Sequence, residues 1–198
     1  MKTKGDRTKQ RILETASNLF WKHSYHGLNM NAISQEAGVN KATVYGYFSS
    51  KEELAIATIR CNHERAKACL FEPSLQNHDN PLDQLEHFYQ GIYSLAQKAV
   101  EQNGSYPGCP FINIAMELAT ANSNVRDAIQ DVFDDQTRFY GQIVSQAIVQ
   151  GLCSPELDHA QTVKGLLATM NGALVMAKVN NSPDEILAML PVAKQLIS

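Results

Sequence analysis

Apolar residues recur along this chain at three- and four-residue steps, the period of helices that each bury one face. From Thr8 to His23 the positions Ile12, Leu13, Ala16, Leu19 and Phe20 share such a face. Asn29 is placed to cap a short second helix through Met30, Ala32, Ile33 and Ala37, and Gly38 supplies the positive φ that ends it. Asn40 then caps a third helix holding Val44, Tyr45 and Phe48. Ser50-Lys51-Glu52-Glu53 reads as a capping box that opens a fourth helix along Leu54, Ile56, Ala57 and Ile59 to about Leu70, before Pro73, Asn77, Asp79, Asn80 and Pro81 mark a loop.

A fifth helix is expected from Pro81 through Leu85, Phe88, Ile92, Leu95 and Ala99 to the stop at Asn103-Gly104. A sixth follows from about Phe111 to Ala121. Ser123 is expected to cap a long seventh ending near Gly151, and an eighth runs from Pro155 or Asp158 to Val179. A ninth begins at a Ser182-Pro183-Asp184-Glu185 capping box. Alternating β-branched runs bounded by turn signals are missing, so the pattern predicts an all-α fold of about nine helices. Residues 1–50 form a helix-turn-helix domain, a linking helix spans about 50–71, and 72–198 form a second helical domain.

Charge sharpens this division. The net charge is −3, yet residues 1–50 carry seven Lys/Arg, among them Lys2, Lys4, Arg7, Lys9 and Arg11, against three Asp/Glu. The basic end is the candidate polyanion binder. No apolar stretch follows the basic N-terminus as a signal peptide requires, and later apolar runs are too short to span a bilayer, so a cytoplasmic protein without a membrane partner is expected. Cys61, Cys69, Cys109 and Cys153 show neither C-x-x-C pairing nor nearby histidines at zinc spacing, which points to reduced thiols and no metal or other cofactor.

Two short helices joined by a glycine turn are the arrangement that lays one helix across the DNA backbone and another in the major groove. Ile33, Ala37, Val39 and Val44 can fix the angle between them, leaving Asn40, Lys41, Thr43, Tyr45 and Tyr47 to face outward toward phosphates and base edges. Phe48 is assigned to the core. The run from Ala32 to Phe48, with Ala37-Gly38-Val39, Thr43-Val44-Tyr45 and Tyr47-Phe48, followed by Ser50-Lys51-Glu52-Glu53-Leu54, resembles the DNA-binding domain of the TetR family of repressors over about residues 6–60.

The resemblance implies that Thr43 and Tyr45 contact DNA, that Lys41 begins the recognition helix, that Lys51 binds a phosphate, and that Asn29 and Asn31 stand where the preceding helix nears one. Ser24 departs from a glycine common in relatives, Ala42 from a common Gly or Pro, and Gly46 from a bulky residue. It also implies a ligand-binding and dimerisation domain, hence a dimeric, ligand-responsive repressor that binds a palindromic double-stranded operator and leaves it when a small effector binds. In that scheme the fourth helix transmits the change. Candidate pocket residues are Phe88, Tyr89, Ile92, Cys109, Phe111, Met116, Phe133, Phe139, Tyr140, Met170 and Asn171, large apolar groups with a few polar ones, which a core needs equally. Candidate dimer stripes are Leu166, Met170, Leu174 and Ala177 with Ile186, Leu190, Ala193 and Ile197, which a monomer core would use as well. Gly108-Cys109-Pro110 resembles a helix start in one branch of the family, where the helix dipole would favour a thiolate able to sense oxidants or electrophiles. No catalytic constellation stands out. An all-α enzyme and a protein-interaction module that uses the motif without DNA stay open as alternatives.

Overall fold

A computed structural model describes residues 3–197, so Lys2 lies outside the described residues. The helices are α1 (Lys4–His23), α2 (Met30–Glu36), α3 (Lys41–Tyr47), α4 (Lys51–Ala66, continued by a π-helical turn Lys67–Phe71 and by Glu72–Gln76) and α5 (Pro81–Asn103). They are followed by α6 (Pro110–Leu118), α7 (Ser123–Val149), α8 (His159–Asn180) and α9, which is broken into Asp184–Ala188 and Leu190–Gln195. Counted so, the described residues form nine helices and no strand, the all-α architecture that the periodicity predicts.

Most helix ends sit where short-range chemistry puts them. The N–H groups of Asn31 and Ala32 donate to Asn29 Oδ1, both at 3.0 Å, and that of Thr43 donates to Asn40 Oδ1 at 2.7 Å. Gly38 and Gly104 hold the positive φ that ends α2 and α5. α1 starts four residues before the predicted Thr8 because Thr3 and Asp6 form a reciprocal capping box.

Four ends differ from expectation. Val125 N–H donates to Asn122 Oδ1, so Asn122 and not Ser123 caps α7. The Ser182–Glu185 box does not form, because Glu185 Oε1 instead accepts from Asn180 Nδ2 at 2.6 Å. At the start of α4, Glu53 N–H donates to Ser50 Oγ as predicted, but the Glu53 carboxylate accepts from the N–H and hydroxyl of Ser49, one residue earlier. Pro73 does not end α4. It has no N–H for a carbonyl four residues back, so the chain widens into a π turn in which Glu72 N–H donates to Lys67 O, and the Ser74 hydroxyl donates to Leu70 O. Gly91 on α5 leaves the notch for this turn, since a Cβ there would lie 2.7 Å from Leu70 Cδ2.

Packing divides the chain into two compact units that do not follow chain order. One gathers the chain up to Glu64 together with Cys109–Asp131, and the other gathers Arg65–Gly108 with the chain from Val132 onward. In the first, Ile12, Ala16 and Phe20 of α1 bury against Ile33 and Ala37 of α2, Val44 of α3, Phe48, and Leu54 and Ala55 of α4. Each large apolar side chain buried there contributes about 1.5–3 kcal/mol. In the second, Leu85, Phe88 and Tyr89 of α5 share a core with Phe139, Tyr140 and Ile143 of α7 and Leu166 and Met170 of α8, while α9 packs on α8 and α5.

Ser24 ends α1 at φ 67° and ψ 165°, a region that glycine adopts without strain and serine does not. Its hydroxyl accepts from Gly27 N–H at 3.2 Å, and a Cβ on Gly27 would lie 2.4 Å from the His23 carbonyl oxygen. Ser24→Gly is therefore expected to stabilise the protein by about 1 kcal/mol, the relieved strain less the added unfolded-state entropy, and to raise the melting temperature by about 2–4 °C. Gly27→Ala is expected to cost more than about 1 kcal/mol. Calorimetry on both variants checks the pair.

Candidate nucleic-acid interface

Seven residues are too few for a helix to stand alone, so α3 owes its direction to the apolar residues beneath it. Val44 and Phe48 are buried, and Ala37 lets α2 and α3 approach closely. The Val39 N–H donates to Ser34 O at 3.0 Å across the turn, and Gly38 takes φ 61°. Asn40, Lys41, Ala42, Tyr45 and Gly46 are left on the outer side, with Thr43 and Tyr47 half-buried. The Thr43 hydroxyl donates to Asn40 Oδ1 at 2.8 Å, while Lys41 Nζ lies 5.7 Å from the centre of the Tyr45 ring, whose residue is 43% exposed. A lysine and a phenol thus stand side by side on one turn. A Cβ on Gly46 would meet nothing within 4 Å, so this position offers bare backbone to whatever lies over α3. Asn29 spends its side-chain oxygen on the cap of α2, and Asn31 is exposed.

Lys51 departs from the expectation of a lysine held out to a phosphate. Its ammonium donates to Leu28 O at 2.9 Å and Tyr25 O at 3.1 Å and sits 4.0 Å from the centre of the Tyr25 ring. The same loop is gripped from its N–H side, because the Tyr25 N–H donates to both carboxylate oxygens of Glu117 and the His26 N–H to Oε2, all at 3.1 Å. Glu117, on α6, carries no local sequence signal for this role. Neighbouring carboxylates hold the start of α4: hydrogen bonds from Asn124 and then Asn122 bring the Glu52 carboxyl below its ordinary range, and those from the hydroxyl and N–H of Ser49 do the same for Glu53.

The predicted pocket residues are divided between the two units. Phe88, Tyr89, Phe139, Tyr140 and Met170 are buried in the second unit with Ile92, Phe133 and Asn171 half-buried, whereas Cys109, Phe111 and Met116 belong to the first. Met116 is 83% exposed and faces solvent, which removes it from any interior pocket. Phe111 sets its ring edge against His63, centres 6.4 Å apart. Burial pushes the Cys109 thiol up, against the downward pull of the Ile112 and Phe111 N–H groups.

The predicted dimer stripes also need correction. Leu166, Met170, Leu174, Ala177, Ile186, Ala193 and Ile197 are all buried within a single chain, and Leu190 is half-buried. They are this chain's own core. The opposite face of α8 leaves Ala168, Gly172, Val175, Met176 and Val179 exposed, the last by 72%, with Val192 exposed on α9.

Residues 12–58 match the family described as bacterial regulatory proteins, tetR family, and residues 81–190 match the tetracyclin repressor-like C-terminal domain. The chain belongs to the TetR family. A relative from Lactococcus lactis, an uncharacterized HTH-type transcriptional regulator in the lacX 3'region, is 30% identical over 87% of this chain and 84% of its own length. The HTH-type transcriptional regulator UidR of Escherichia coli is 28% identical over 88% and 83%, and the HTH-type transcriptional repressor NemR of the same species 25% over 96% and 94%. A TetR transcriptional regulator from Chloroflexus aurantiacus superposes with a TM-score of 0.84 at 27% identity, covering 98% of this chain and 96% of that one. The reduced form of E. coli NemR gives 0.81 at 20% identity over 96% and 97%, a likeness of fold. This TetR-family chain is therefore a DNA-binding transcriptional regulator, and among its described residues no helix is long and apolar enough to cross a membrane.

Two expectations follow from the clasped loop. Lys51→Met keeps the aliphatic stem and removes the ammonium, so it should destabilise the head by about 2 kcal/mol, the scale of a hydrogen bond to a charged group. If the lysine acts as a clamp, operator affinity measured across a salt series drops with unchanged salt slope, whereas loss of a phosphate contact would flatten the slope by about one. The lowered carboxyls fix the sign of the acid response. Their contribution is fully present above the ordinary glutamate range and is lost as pH falls below it through the lowered folded-state values, so thermal melts from pH 7 to pH 3 should show a smaller acid loss for Glu53→Gln than for wild type.

Proposed function

We propose that this TetR-family regulator acts as a dimeric repressor whose two α3 helices read a palindromic operator, and that a small effector held in the α5–α7–α8 core releases it. The observation that carries the reading is the outer side of α3, where Lys41, Thr43 and Tyr45 stand on a helix fixed from beneath by Val44, Ala37 and Ile33. Lys41 and Tyr45 can share a phosphate or a base edge, Asn40 and Asn29 position the helix starts, and Asn31 and Tyr47 flank the contact. The names of UidR and NemR as regulator and repressor support the direction of control. Pairing runs through the outward face of α8, with Gly172 allowing close approach and Val175, Met176 and Val179, with Val192 of α9, supplying apolar surface, and the operator's two half-sites lie one helical turn of DNA, about 34 Å, or a multiple of it apart.

Selection from random double-stranded DNA tests the proposal. Enrichment of an inverted repeat is expected, with Lys41→Ala and Tyr45→Ala each weakening binding roughly tenfold, and with Lys41→Ala lowering the salt slope by about one. Enrichment of no sequence, or of one whose binding both variants leave unchanged, would overturn it. Gly46→Ala is expected to stabilise α3 by about 1 kcal/mol in the free protein while altering which sequences are enriched, since the new methyl fills open space on the reading side.

A further inference from the structure

Tyr89 and Tyr140 are fully buried, at 0% and 1% exposure, and among the described residues neither hydroxyl has a hydrogen-bond partner. Phenylalanine would fill the same space without leaving a desolvated O–H, so each hydroxyl is kept at a cost to stability, twice in one neighbourhood. Phe88 ties the two together, meeting the Tyr89 ring at 6.4 Å and the Tyr140 ring at 5.9 Å, both edge to face. Phe139 adds a face at 5.3 Å from Tyr140, and Phe71, at the end of the π turn, stacks on Phe139 at 5.1 Å and leans on Phe88 at 5.5 Å. Phe71 is the wall with the weakest support from its own helix.

Burial pushes both phenols above their ordinary range, and Tyr89 adds to the effect at Tyr140, so both stay protonated and keep their donors. The ring cluster contains no cation to balance an anionic guest and no carboxylate to balance an ammonium one. We infer that Tyr89 and Tyr140 form a donor pair for an uncharged, ring-bearing effector with a carbonyl-type oxygen, whose flat apolar body lies among Phe71, Phe88 and Phe139. This rests on the reading of the α5–α7–α8 core as the effector site and names the chemistry that the site selects. One carbonyl oxygen has two lone pairs and can accept from both hydroxyls.

Calorimetric titration of the full chain, without DNA, tests it with acetophenone and 2-acetylnaphthalene, against 2-ethylnaphthalene, 2-naphthoate and 2-naphthylmethylamine. At least one ketone is expected to bind ten or more times as tightly as the hydrocarbon and the two ions. Tyr89→Phe and Tyr140→Phe should each weaken ketone binding about three- to tenfold, leave the hydrocarbon unchanged, and give a free protein that melts no lower than wild type. The inference is overturned if neither ketone binds, if an ion binds best, or if both variants bind the ketone as wild type does. It is equally overturned if the variants melt lower when free, because the hydroxyls would then already be satisfied by water. Because no DNA is present, failure here leaves the operator reading standing, and failure of the DNA selection leaves ketone binding standing.

Discussion

A short helix can be aimed only by what lies under it, and the reading head depends on that constraint. α2 and α3 hold seven residues each, below the length at which backbone hydrogen bonds alone keep a helix in water. Their stability is borrowed from Ile33, Ala37, Val44 and Phe48, buried on the face that α1 presents through Ile12, Ala16 and Phe20. Because the buried positions are fixed, the intervening ones are fixed as well. Lys41 and Tyr45 point outward for the same reason that Val44 points inward, and a change at Ala37 or Val44 would disturb recognition without touching DNA.

The second fixed point is the loop between α1 and α2. Ser24 holds an unfavourable backbone angle there, and such a conformation persists only where its surroundings over-determine it. Here they do so electrostatically. Carbonyl oxygens of Tyr25 and Leu28 turn to the Lys51 ammonium, and the N–H groups of Tyr25 and His26 turn to the Glu117 carboxylate. The loop's dipoles thus lie between a cation on α4 and an anion on α6, and α2, which Asn29 caps, inherits its position from this clasp.

The signals that could be read in the sequence act over a few residues. Asn29, Asn40 and Ser50 cap helices through bonds two or three positions away, and Gly38 and Gly104 end them through their own φ. The helix-turn-helix and its outward residues were legible for that reason. Where two local groups compete, the pattern misleads, as Asn122 outbids Ser123 and Asn180 diverts Glu185 from its box. Pro73 reads as a terminator because a π turn relieves its missing donor only when Ser74 and the Gly91 notch are both available. α8 is apolar on two sides, Leu166-Met170-Leu174 on one and Gly172-Val175-Val179 on the other, and a period of 3.6 fits either stripe. Only packing chooses between them. The Lys51 and Glu117 contacts join residues 23 to 92 positions apart and leave no trace in periodicity.

The backbone sets how stiff α4 and α7 are along their lengths. α4, the expected transmitter, is interrupted after Ala66 by the π turn, whose wider bonding yields more readily than an α-helix. α7 runs unbroken for 27 residues. It carries Tyr140 near its middle and Asn124 in its first turn, where Asn124 Nδ2 donates to Glu52 Oε1 at 3.0 Å. Glu52 is the neighbour in sequence of Lys51, whose ammonium holds the loop that sets α2. α7 is thus unbroken along its length, whereas α4 is prolonged through its most compliant turn.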